Sequence, residues 1–140
     1  MSILSIRDRD RLKGVHEDLI HVVEFAFGLF PDAFKDTPSF RVFVIQGLRT
    51  REQQAEYVRI GASHTMNSRH LTGHAVDLGV QEGGAMRWEF PVYEKLWETC
   101  VLPAAVKLGV NVEWGGKFRT SKGKPIMDGP HFQLSQSKYV

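Results

Sequence analysis

Between residues 19 and 45 the apolar pattern changes its period, and that change limits the folds open to the chain. Leu19, Val22, Val23, Ala26, Phe27 and Phe30 recur at intervals of three and four, which lays one inward stripe along a helix that Pro31 is expected to stop. Residues 40–45 are instead aromatic and β-branched and close at Gly47, the signature of a buried strand and a turn. Ser5 with Asp8 marks an earlier helix start that Gly14 ends or bends, and Thr50 with Gln53 is a capping box predicting a helix over Arg51–Arg59, released at Gly61. A polar loop then runs to Leu71. Residues 74–80 read as a second strand, and residues 91–108 as a long helix kinked at Pro103 and capped by Gly109. Residues 110–114 and His131–Leu134 are the remaining strand candidates. Helices and strands mix without a regular βαβ rhythm, which predicts an α+β fold, a small antiparallel sheet with packed helices.

At 140 residues the chain is expected to form one domain, 1–140, because a second would lack an interior of its own. Hydrophobic residues at 42% and charged residues at 24% exclude a disordered or fibrous class. A formal charge of +2 is too small for a nucleic-acid protein. No stretch approaches the roughly 20 apolar residues of a membrane span. Residues 1–12 carry Arg7, Asp8, Arg9, Asp10 and Arg11, which break any apolar core of a secretory signal, so synthesis in the cytosol is expected. Cys100 is the only cysteine, which rules out an internal disulfide and a cysteine-rich zinc knuckle. Its spacing from Leu96, Trp97, Val101 and Ala104 places it in the core.

The polar residues with most chemistry fall in two clusters. One runs Ser68-Arg69-His70-Leu71-Thr72-Gly73-His74-Ala75-Val76-Asp77, and the other is Asp128-Gly129-Pro130-His131-Phe132. Open catalytic metal sites take three ligands from His, Asp and Glu and leave one position for water, so the two clusters hold enough donors. Strand parity narrows the choice. Val76, Leu78 and Val80 share a core face, whereas Asp77 shares the other with small Ala75 and Gly79, leaving room for an ion. His74 falls on the Val76 side and is read as packed or as a supporting histidine, while His70 can reach back from the loop. A helical His-Glu-x-x-His arrangement fails, because Leu71 stands where the glutamate base belongs and Thr72, Gly73 and Val76 disfavour helix. Asp128 lies three residues before His131 across a turn stiffened by Pro130, placed to accept a proton from water beside the metal. Arg49, just past the end of an inner strand, is placed to hold a carboxylate or an oxyanion; its alternative is pairing with Glu52 or Glu56. His16, His21 and His64 are read as solvated or locally hydrogen-bonded, and Trp88 and Trp97 as core or rim.

These residues resemble the hedgehog-type zinc peptidases, which include D-alanyl-D-alanine carboxypeptidases and the L-alanyl-D-glutamate endopeptidases of bacteriophage lysins. The family pattern Ser-x-His-x-x-Gly-x-Ala-x-Asp is met by Ser68, His70, Gly73, Ala75 and Asp77, and the later acid-x-x-His-aromatic pattern by Asp128, His131 and Phe132. The likeness runs from about Phe40 to Leu134, and Leu12, Gly14, Val15, His16, Asp18 and Leu19 also resemble the start of phage lysins. By this resemblance His70, Asp77 and His131 hold one Zn2+ per chain, Asp128 is the catalytic acid/base, and Arg49 and Ser68 contact substrate. Aspartate rather than glutamate before the last histidine resembles the alanyl-glutamate endopeptidase branch. Lys117 and Phe118 depart from the family, whose members often carry an acidic or amide residue followed by Trp there.

The resemblance implies a hedgehog/DD-peptidase-like fold and a phage endolysin that cleaves the stem peptide of bacterial peptidoglycan by metal-activated water. It would act as a monomer, made in the host cytoplasm and reaching the wall after the membrane is opened, with no nucleic-acid partner and no membrane insertion. The alternatives are a D-Ala-D-Ala carboxypeptidase and a zinc-containing binding module without catalysis.

Overall fold

The structure is a computed structural model describing residues 3–63 and 65–139, so His64 lies outside the described residues. It is α+β, as the mixed periodicities predict. Helices α1 (Ile6–Arg11) and α2 (Glu17–Ala33) precede strand β1 (Phe40–Gln46) and helix α3 (Arg51–Arg59). A 3-10 turn (Arg69–Thr72) leads into β2 (Ala75–Glu82) and β3 (Ala85–Arg87), then α4 (Phe90–Leu96), a π-helical turn (Trp97–Val101) and α5 (Leu102–Leu108). Strand β4 (Val112–Trp114), a second 3-10 turn (Gly115–Lys117) and β5 (His131–Leu134) complete the order. All strand pairs are antiparallel, in the order β1-β2-β5-β4 with β3 also on β2.

Both predicted helix starts form, each with a capping box. Ser5 Oγ accepts from Asp8 N–H and Thr50 Oγ1 from Gln53 N–H, while the third-position side chains accept from the cap amides. The α2 stripe is buried throughout, and full burial of each large apolar side chain contributes roughly 1.5–3 kcal/mol. The stripe packs on the π-turn and α5, and the core continues through Val76, Leu78 and Val80 of β2 to Phe132 and Leu134 of β5. Cys100 and Trp97 are core, whereas Trp88 is 61% exposed.

Several local expectations are corrected by the structure. Pro31 does not stop α2, which runs on to Ala33. A proline so near the end forfeits only its own amide bond, the next turn closes with Phe34 N–H donating to Phe30 O at 2.8 Å, and the Phe30 and Phe34 rings stack at 4.3 Å. The helix expected over residues 91–108 is divided by the π-turn, which loosens the backbone just before Pro103. The β2-β3 hairpin escaped the sequence reading although its signal was present: Gly83 and Gly84 have φ of 57° and 84°, the pair of positive angles a two-residue hairpin turn requires. Residues 74, 110 and 111 lie outside the strands predicted to include them.

Candidate metal centre and catalytic cleft

Strand parity on β2 carries Asp77 away from the core, and the sheet register then sets its neighbours. Asp77 stands directly opposite His131 on β5. On its other side β1 has an irregularity between Val44 and Gln46 that aligns Gln46 with Asp77. Such bulges re-aim side chains. The room expected beside Gly79 is filled, since Phe43 Cζ and Ile45 Cδ1 lie 2.7 and 3.0 Å from where a Cβ would stand. The opening is at Asp77 alone, as a cleft of about 460 Å3 whose walls include Arg49, Ser68, His70, Asp128 and His131.

His70 enters from the 3-10 turn. Ser68 Oγ caps that turn by accepting from His70 N–H at 3.2 Å. Backbone bonds staple it to the end of β1: Arg49 N–H donates to His70 O at 2.9 Å, and the His70 ring donates from Nδ1 to Gly47 O at 2.8 Å. That bond leaves the lone pair on Nε2. The atom is buried and has no hydrogen-bond partner, and it sits 3.3 Å from Asp77 Oδ1. His131 is oriented the opposite way, with Nε2 donating to Gln133 Oε1 at 2.8 Å and Nδ1 3.3 Å from the same Asp77 oxygen.

The donor set His70, Asp77 and His131 could hold a metal ion, their ligating atoms all lying within 4.8 Å of one another. Tetrahedral ligands at about 2.0–2.1 Å from a metal stand about 3.3 Å apart, which is the spacing found between Asp77 Oδ1 and each imidazole nitrogen. Both outer histidine nitrogens are engaged as donors, the support that metal-bound imidazoles usually have. An unpartnered buried nitrogen otherwise costs about 1–3 kcal/mol, so an ion explains what a packed histidine does not. His74 stands apart, its Nδ1 2.6 Å from Thr72 Oγ1 and its ring beside His16.

Asp128 is held by its backbone. Its N–H donates to Gly115 O, its carbonyl accepts from His131 N–H, Trp114 Nε1 donates to Gly129 O at 2.7 Å, and Leu78 N–H donates to Pro130 O. The preceding Met127 has φ of 56°, a left-handed angle unusual for a side-chain-bearing residue, which turns the chain sharply into the site. Gly115 permits this approach, because a Cβ there would collide with the Asp128 carbonyl and stand 2.9 Å from His131 Cβ and 3.1 Å from Asp128 Cβ. Gly115→Ala is expected to cost about 1–3 kcal/mol in urea unfolding. It should lower kcat/KM further than that loss accounts for, since the displaced atoms belong to the cleft.

The charges in the cleft are coupled. Burial pushes the Asp77 carboxyl up, but its contacts with His131 and His70 prevail and hold it well below the usual carboxylate range. Burial pulls His131 down, and the Asp77, Gln133 and Asp128 contacts raise it above its ordinary value. Asp128 lies higher than a free aspartate because the cleft wall partly desolvates its exposed side chain and the Asp77 carboxylate repels its charge, which together outweigh the opposing pull of His131, His70 and Arg49.

Arg49 does not pair with Glu52 or Glu56, the latter being taken by Arg59. Its guanidinium donates to Gln46 Oε1 at 2.7 and 3.1 Å and to Gln54 Oε1 at 2.7 Å, packs over the Tyr57 ring and lies 3.5 Å from Asp77 Oδ2. Gln54, fully buried, also donates to Ser63 Oγ and Thr65 O, tying the polar loop to the arginine. The sequence reading missed Gln46, Gln54 and Gln133. Only Gln133 carried a usable signal, since two positions past His131 on a strand it shares that histidine's face.

The model of the phage L-alanyl-D-glutamate peptidase family matches residues 1–135. The chain belongs to that family. The L-alanyl-D-glutamate peptidase of Listeria phage A118 is 32% identical over 106 residues, 76% of this chain and 34% of that protein. The enzyme of the same name from Escherichia phage T5 is 27% identical over 100 residues, 65% of this chain and 73% of that protein. The chain thus spans about a third of the length of the Listeria phage relative. The crystal structure of the Serratia marcescens L-Ala D-Glu endopeptidase ChiX superposes with a TM-score of 0.77 at 38% identity, covering 97% of this chain and 92% of that one. Among the described residues no helix is long and apolar enough to cross a membrane.

Proposed function

We propose that this chain is a zinc-dependent endopeptidase that cuts the L-alanyl-D-glutamate bond of the peptidoglycan stem peptide during phage lysis. The observation that carries this reading is the convergence of His70 Nε2, Asp77 Oδ1 and His131 Nδ1 at ligand spacing, in the cleft that Asp128 and Arg49 also line. The names of the family and of its relatives support the bond.

His70, Asp77 and His131 would hold the ion. Bound there, zinc supplies a Lewis acid that lowers the pKa of water to roughly 7 and polarises the scissile carbonyl. Asp128 takes the proton from the attacking water and delivers it to the leaving amine, and its raised pKa makes it the stronger base for the first of these transfers. Arg49, held by two glutamines, presents a fixed cation to a substrate carboxylate or to the oxyanion developing on the carbonyl. Ser68 lines the same cleft with its hydroxyl engaged in capping, so its part is to hold His70 in place as well as to meet substrate. The enzyme works as a single chain with one zinc, made in the host cytoplasm and admitted to the wall once the membrane is breached.

Mass spectrometry of fragments released from defined peptidoglycan tests the reading. New amino termini at D-glutamate are the expected result. Release of free D-alanine would make the chain a carboxypeptidase instead, and an undigested substrate beside stoichiometric zinc would leave a binding module.

A further inference from the structure

Strand β1 stands at one end of the sheet, so its outer edge has no strand beside it. Two side chains of α1 occupy that edge at a single residue. Val44 N–H donates to Asp8 Oδ1 at 2.9 Å, and Val44 O accepts from Arg11 Nη1 at 2.8 Å. An acceptor and a donor three positions apart on a helix thus serve Val44 as a neighbouring strand would. The carboxylate is committed to this task, being 4% exposed with its other oxygen accepting from Ser5 N–H at 3.1 Å.

The same segment grips the strand again at Gly47. A Cβ there would stand 2.5 Å from both Arg11 O and Val15 Cγ2, so the strand passes against the end of the helix with no room for a side chain. The two grips bracket the irregularity between Val44 and Gln46 that aligns Gln46 with Asp77. A bulge leaves part of its strand outside the ladder, so contacts from elsewhere decide where its side chains aim. Arg49 depends on that aim, because Gln46 Oε1 accepts from both its Nε and its Nη2. We propose that Asp8 and Arg11, neither of which lines the cleft, are positioning residues that fix the shape of the β1 irregularity and, through Gln46, the direction of the Arg49 guanidinium. The proposal rests on reading Arg49 as a contact to substrate or to the oxyanion.

Asp8→Ala removes the acceptor, and Arg11→Met removes the donor from a half-buried side chain while keeping its apolar stem. Ser5→Ala is the control, since it weakens the cap of the same helix and leaves both bonds to Val44 in place. On peptidoglycan, well below the unfolding midpoint, kcat/KM should fall about 10- to 100-fold in Asp8→Ala and Arg11→Met and stay parental in Ser5→Ala, with zinc content equal in all. Arg11→Lys, which can still donate to Val44 O, should recover most of the loss. In a Gln46→Ala background the two substitutions should add little, the non-additivity of residues acting along one path. Proton-nitrogen spectra of the Arg49 Nε–H, recorded without substrate, should show protection from solvent exchange in the parent and in Ser5→Ala, and its loss in Asp8→Ala and Arg11→Met. Parental turnover or an unchanged Arg49 signal in Arg11→Met would overturn the proposal, as would a loss that Ser5→Ala shares or one that adds fully to that of Gln46→Ala. If Arg49→Ala kept parental turnover, the role given to Arg49 would fail, and the Arg49 signal would still decide whether α1 orients the guanidinium.

Discussion

Asp128→Ala is expected to lower hydrolysis of peptidoglycan by about 100- to 10,000-fold while zinc binding stays stoichiometric, the range over which one positioned acid/base group contributes. Asp128 is not among the three converging donors, so in the proposed mechanism its loss removes proton transfer and leaves the proposed ligands in place. The side chain is exposed and accepts no hydrogen bond from the described residues, so the fold should tolerate the change, with little shift in the unfolding midpoint. Turbidity loss of purified walls measures the rate, and zinc content by elemental analysis measures the site. A variant that kept parental activity would remove Asp128 from the chemistry and return the proton to some other group.

His70→Ala should act on the other half of the site. It removes one of the three proposed ligands, so zinc affinity should drop by more than the roughly 10- to 100-fold that loss of an outer hydrogen-bond partner costs, and activity should vanish with the metal. The substitution also empties a buried position, His70 being 2% exposed, and leaves Gly47 O without its donor, at a cost of about 1–3 kcal/mol. The two variants are thus distinguishable: one retains metal without turnover, and the other loses metal, turnover and some stability. Stoichiometric zinc in His70→Ala would refute the ligand assignment. Adding excess zinc provides a further check, since it should restore part of the activity of the ligand variant and none of that of Asp128→Ala.

Much of the frame was legible in the residues because its signals are local. The α2 stripe, the two capping boxes and the core face of β2 depend on spacings of two to four residues, and all appear in the structure. Pro31 was misjudged, because the rule that proline ends a helix concerns a single lost amide bond and a local clash, and here the next turn closes through the buried Phe34; at Pro103 the expected distortion takes the form of a π-turn over Trp97–Val101. The network behind Arg49 was illegible because Gln54, a polar residue in an otherwise exposed helix, gives no sign of being buried until the loop over residues 61–68 closes on it.

By itself the sequence determined the kinds of donors, the α+β class and the side of β2 on which Asp77 emerges, all consequences of residue type and short-range period. Only the tertiary structure decided that His131, 54 residues away, stands opposite Asp77, that Gly115 lets Asp128 close in, and that Gln133 and Glu113 sit behind the imidazole. Strand register and backbone approach come from packing elements that are distant in the chain, and no local spacing encodes the distance between two side chains that meet only after the sheet has formed.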